Sequence, residues 1–138
     1  MRTPSGPQFV ALLLAASVMS VIFYYSSQST TPGIVVEEKE GLSLAIRKLA
    51  HAVEFGSLAF VLRDAFGFLI RPLAFTLSFA IALGYAAGDE WHQRFTPGRY
   101  ASVLDVFIDT GGIVAALVLW WIAELYLTRR RAMGTATR

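Results

Sequence analysis

Two short stretches carry side chains whose types and spacing could do chemistry. In Arg47-Lys48-Leu49-Ala50-His51-Ala52-Val53-Glu54-Phe55, Lys48, His51 and Phe55 stand three and then four positions apart and share one helical face. Arg47, His51 and Glu54 make an overlapping stripe that sets an imidazole between a base and an acid. A histidine so placed is a candidate general base, with Glu54, Asp89 or Glu90 as candidate acids. In Asp89-Glu90-Trp91-His92-Gln93, Asp89 and Gln93 are one helical turn apart with Glu90 beside them. Arg99 could hold a phosphate or carboxylate by a bidentate fork, and Lys48 could do so as a point charge. Thr96-Pro97-Gly98-Arg99 has Pro and Gly at the positions a tight turn asks for. Ser102-Val103-Leu104-Asp105 reads as a capping box opening a helix. Asp105, Asp109 and Gly112 then run down one face of that helix. Candidate binding residues are therefore Lys48, His51, Asp89, Glu90, Gln93, Arg99, Asp105 and Asp109.

Each of these residues has a plainer reading. The arginines and Lys48 can snorkel to headgroups, the acids can be their partners, His51 can be a packing histidine, and Asp105 can be a helix cap. Glu124, beside Arg129-Arg130-Arg131, reads as structural. Cysteine is absent, and there is no His-Glu-x-x-His or Gly-x-Ser-x-Gly segment. No metal site and no cofactor is expected.

The elements that must position these residues are set by an apolar composition. Of the 138 residues, 55% are hydrophobic and 16% charged, against roughly a quarter charged in a soluble domain. That leaves too little polar surface to cover a soluble core and excludes disorder. A net charge of +2 without basic clusters interleaved with aromatics excludes nucleic acid as a partner. A bilayer-spanning helix needs about 20 apolar residues. The sequence predicts an all-α integral membrane bundle of four transmembrane helices, at about residues 9–25, 42–62, 66–88 and 103–127. The second is the least apolar, because Arg47, Lys48, His51 and Glu54 fall in its first half. The first lacks an Ala-x-Ala site and reads as an uncleaved anchor. Short connections make residues 1–138 one domain.

Four spans put both termini on one side, together with Arg2, Arg63, Arg71, Arg129, Arg130, Arg131 and Arg138 against Asp64 and Glu124. The other side holds Lys39, Arg47, Lys48, Arg94 and Arg99 against Glu37, Glu38, Glu40, Glu54, Asp89, Glu90, Asp105 and Asp109. The Lys/Arg bias predicts cytoplasmic termini in the plasma membrane, with the candidate site facing outward. Tyr24, Tyr25, Trp120, Trp121 and Tyr126 suit interfacial belts. Gly111-Gly112 offers a backbone patch for close helix packing and leaves a homo-oligomer open.

Three segments carry a family resemblance. They are Phe23-Tyr24-Tyr25-Ser26-Ser27-Gln28-Ser29, then Arg47 to Leu58 with Lys48, His51, Glu54 and Phe55, and most specifically Gly88-Asp89-Glu90-Trp91-His92-Gln93-Arg94-Phe95-Thr96-Pro97-Gly98-Arg99 followed by Ser102, Asp105-Val106 and Thr110-Gly111. In order and spacing, over about residues 9 to 125, the chain resembles the VanZ-like membrane proteins. Two positions depart: Arg47 stands where the family has Asp, and Asp109 where it has Asn. The added acid is expected to compensate the lost one. The resemblance implies four transmembrane helices and, by family name, a link to tolerance of glycopeptide antibiotics.

The expected function is a cell-envelope protein whose outer polar pocket binds or shields a lipid-linked or peptidoglycan-precursor headgroup, with membrane lipids as partners. The alternatives are an acid–base enzyme on that headgroup using His51, and a small transporter or proton relay using Asp105 and Asp109. A bundle whose polar groups only glue helices together is the plainest reading.

Overall fold

The computed structural model describes residues 4–28, 40–97 and 101–136. Four helices follow one another: α1 (Gly6–Ser26), α2 (Glu40–Ala65), α3 (Arg71–Gln93) and α4 (Val103–Ala136). Three are long and apolar enough to cross a bilayer: Gly6–Ser26, Arg71–Gln93 and Val103–Met133. These lengths and the composition make the chain a membrane protein. The helix at α2 is long enough at about 1.5 Å per residue, but it falls below the others in hydropathy.

The packing explains that difference. Against α2 lie α4, α1 and α3, and the contact with α4 is the most extensive, whereas the backbones of α1 and α3 approach each other least. A helix with three packed neighbours need not be apolar all round; its open face carries the exposed Leu49, Val53 and Phe60. One stripe of α2 is buried, with Phe55, Leu58, Ala59, Leu62 and Ala65, and it meets Ile22 of α1, Ala82 and Ala86 of α3, and Ile113 and Leu117 of α4.

Glycine sets the α2–α4 distance. A Cβ on Gly56 would stand 2.9 Å from the Gly112 carbonyl oxygen, and one on Gly112 would collide with the Ala52 carbonyl. The backbone patch expected at Gly112 is thus occupied by α2 of the same chain, while Gly111 faces open space.

Local signals fix the ends. The Gln8 carboxamide accepts the Ser5 backbone N–H at 2.7 Å, half of a capping box, with Pro7 in the first turn of α1. Pro72 likewise stands in the first turn of α3. One expectation changes: residues 66–70 form the turn between α2 and α3 rather than the start of a span. Asp89 to Gln93 form the last turn of α3, so the one-turn spacing read from the sequence is helical.

Candidate functional site

The antiparallel order of the helices gathers polar side chains at one end of the bundle. The end of α1 brings Ser26 and Ser27, α2 brings Lys48, His51 and Glu54, α3 brings Asp89, Glu90, His92 and Gln93, and α4 brings Asp105 and Asp109. Chain neighbours alone cannot do this; it needs every helix to start or finish at this level.

Gln93 is the hub. Its amide Nε2 donates to Asp89 Oδ2 at 2.9 Å, one turn back on α3, and to Ser26 Oγ on α1 at 3.0 Å. Both Asp89 and Gln93 are buried, so the pairing anticipated from their spacing is made. Beside it, Ser27 Oγ and His92 Nε2 are 3.2 Å apart, and the His92 ring lies against Phe23 with 4.9 Å between centroids. The Tyr85 hydroxyl donates to the Met19 carbonyl at 2.6 Å and ties α3 to α1 just beneath.

The opening of α4 departs from the sequence expectation. Ser102 Oγ accepts the Leu104 N–H at 3.2 Å, but Asp105 does not reach back to complete the capping box. Its Oδ1 pairs instead with Lys48 Nζ on α2 at 2.5 Å. A charged ammonium is a stronger partner than a neutral amide. The Ser102 N–H is taken by Glu90 Oε2 from α3, at 2.8 Å. Glu90 thus takes the place at the Ser102 amide that sequence spacing assigns to Asp105, and the arrangement joins α2, α3 and α4 at their polar end.

Asp109 is the innermost acid, 2% exposed. Its Oδ1 is buried with no hydrogen-bond partner among the described residues. Glu90, Asp105, Asp89 and Glu54 all act on it electrostatically. Arg47 is exposed on α2 and makes no ion pair with Asp109 among the described residues. His51 lies nearly parallel to Phe55 with 6.2 Å between centroids, and it is within electrostatic range of Glu90. Lys48, His51, Asp89, Glu90, Gln93, Asp105 and Asp109 therefore share one end of the bundle. Arg99 lies outside the described residues. Among the described residues no three of His, Cys, Asp and Glu are grouped to hold a metal ion.

Sequence reasoning passed over three residues. Ser26 and Ser27 stood in the quoted motif without a role; their position at the end of α1 was the available signal. His92 likewise has no role assigned from the sequence, yet it packs into the same end. At the opposite end, Arg63 is a buried cation that charge counting only assigned to a side. Its guanidinium lies 3.9 Å from the Trp120 ring centroid and 4.6 Å from that of Phe75. Trp120 therefore packs on a cation of its own chain, and Glu124 pairs with Arg71 of α3 at 2.5 Å.

No curated protein and no solved structure matches the chain significantly. The sequence model of the VanZ/LLP1 family matches residues 9–124, a stretch that takes in both segments carrying the polar end. On that match, which covers most of its length, the chain belongs to the VanZ/LLP1 family.

Proposed function

We propose that the polar end of the bundle binds the headgroup of an envelope lipid or a lipid-linked peptidoglycan precursor at the outer face of the plasma membrane. All four helices span the bilayer in this reading, as one domain with both termini cytoplasmic. The observation that carries it is the convergence of polar side chains from all four helices on one end of an otherwise apolar bundle. Ionisable groups at membrane depth are expensive and by default functional, and helix–helix glue alone does not need so many acids.

The ion pair with Asp105 revises the role given to Lys48. It holds the opening of α4 in place and offers its remaining donors to a phosphate, with Arg99 as the second cation. Asp89 and Glu90 present acceptors, which suit hydroxyl or amine groups on the headgroup. Shielding such a headgroup fits the link to glycopeptide tolerance that the family name suggests.

Glu90→Gln and Asp89→Asn keep an acceptor for the Ser102 N–H and for the Gln93 amide while removing charge. Both variants, and Arg99→Ala, should reach the membrane at wild-type level and lose glycopeptide tolerance in cells that depend on the protein. Native mass spectrometry of the same proteins should show a copurifying lipid reduced. Full tolerance in all three stable variants would refute the headgroup reading.

A second reading rests on the proximity of His51 to Glu90: an acid–base pair acting on the same headgroup. Turnover of a labelled envelope lipid by pure protein, lost in His51→Ala, would favour it over binding alone.

A further inference from the structure

Between α2 and α4 runs an apolar groove of about 570 Å³, lined by residues between Leu49 and Val61 of α2 and between Gly112 and Leu119 of α4. Building on the headgroup reading, we infer that this groove holds the hydrocarbon tail of the lipid whose polar end sits at the Lys48–Asp105 pair.

Four observations point to a tail. The first is continuity. Lys48 stands one turn above Ala52, and Asp105 two turns above Gly112, so their ion pair closes the polar end of the groove where Ala52 and Gly112 meet. An amphiphile has the same order, with a polar end that can use both a donor and an acceptor above an apolar stem. The second is length. Leu49 to Val61 rises about 18 Å at 1.5 Å per residue, close to one leaflet at roughly half of a 30 Å core. A partner helix would need a seam across the whole bilayer.

The third is the lining. The hydroxyl of Ser57 donates to the Val53 carbonyl of its own helix at 2.8 Å, which leaves no polar group there in need of a partner. The fourth concerns a second copy of this chain. Helix pairs in membranes approach through small residues, but Gly56 and Gly112 face each other's helices within the chain. What rises at the rim is large: Leu49, Val53, Phe60 and Leu119 are exposed. A narrow floor between bulky walls suits a single chain of methylenes.

The test places the full-length protein in vesicles of phosphatidylethanolamine and phosphatidylglycerol containing a phosphatidylglycerol with a diazirine on its acyl chain. After photolysis, adducts are mapped by peptide mass spectrometry. Labelling should concentrate on residues 49–61 and 112–119 above the level on the exposed face of α1, at Phe9, Val10, Leu13 and Leu14. Ala115→Trp, and Val53→Trp from the opposite wall, should drop groove labelling to that background at unchanged helicity and membrane level.

Equal labelling of groove and α1 in the wild type would overturn the inference, as would disulfide-linked dimers through a cysteine introduced as Val53→Cys or Ala115→Cys in this otherwise cysteine-free chain. Glu90→Gln separates the two readings. Groove labelling that survives Glu90→Gln but is lost in Ala115→Trp keeps the tail site and counts against the headgroup reading. Tolerance lost in Glu90→Gln with no groove enrichment keeps the headgroup and removes the tail site.

Discussion

The two ends of the bundle bury charge in opposite ways. At the acid-rich end, polar groups largely satisfy one another, Asp109 Oδ1 excepted: Lys48 with Asp105, Gln93 with Asp89 and Ser26, Glu90 with the Ser102 amide. At the arginine end, Arg63 is 4% exposed, and its Nε and Nη1 have no hydrogen-bond partner. Two aromatic faces, Phe75 and Trp120, take the place of acceptors. A network of small polar groups leaves positions that a ligand can enter or rearrange. A cation between two rings leaves none, and its buried nitrogens admit no visitor. The first arrangement is suited to recognition and the second to fastening α2, α3 and α4 together.

The largest effect should follow from opening the aromatic box. Arg63→Ala removes a desolvated cation–π contact of about 2 kcal/mol or more and the packing of the aliphatic stem. The loss should reach roughly 3 kcal/mol in unfolding measured in detergent micelles. Arg63→Met refills the volume without a charge and should recover most of that loss, because an apolar isostere replaces a buried ion without its desolvation penalty. Glycopeptide tolerance should persist in Arg63→Met, since nothing at the acid-rich end touches Arg63. Loss of tolerance in a stable Arg63→Met protein would mean that the arginine end takes part in function and would dissolve the contrast.

Next is the amide that opens α4. Glu90→Ala strips the Ser102 N–H of a charged acceptor, an interaction worth about 1.5–3 kcal/mol when buried. Ser102 is half-buried and water can substitute in part, so about 1.5 kcal/mol is expected. Glu90→Gln should cost less than half of that in the same assay. Equal losses would show that charge, rather than the hydrogen bond, holds this corner.

These corners also show what the sequence could reveal and why it stopped there. Long apolar runs made the helices legible, and the four-residue spacing of Asp89 and Gln93 made their contact legible, because both are local properties of one helix. The replacement of Asp105 by Glu90 at the Ser102 amide was not, since it depends on Lys48 arriving from another helix. The box around Arg63 was missed for the same reason: Phe75 and Trp120 are distant in sequence, and an isolated arginine near a span end looks like any interfacial base. The low hydropathy of α2 made it the doubtful span, because sequence windows measure composition without knowing that three other helices pack against it.

A smaller effect separates the Lys48–Asp105 pair from the rest of the network. Both side chains are about one-quarter exposed, at 27% and 25%, so water screens them. A double-mutant cycle with Lys48→Met and Asp105→Asn should give a coupling of about 1 kcal/mol or less, falling as salt rises. A larger, salt-independent coupling would place the pair in the low-dielectric interior and bring the acid-rich end closer in character to the arginine end.

The smallest change is expected at the most buried acid. Asp109→Asn alters one atom and removes a charge among Glu90, Asp105, Asp89 and Glu54, where like charges disfavour one another. The carboxylate oxygen Oδ1 has no donor to lose. The new amide brings two N–H donors into a neighbourhood of carboxylates, and Asn is the residue that the family pattern carries at this position. Stability should therefore stay level or rise by about 0.5 kcal/mol, and tolerance should be retained. The opposite sign would be informative. A loss above about 1 kcal/mol would mean that the charge of Asp109 stabilises the native state and that the acid-rich end contains a fastening of its own beside its recognition groups.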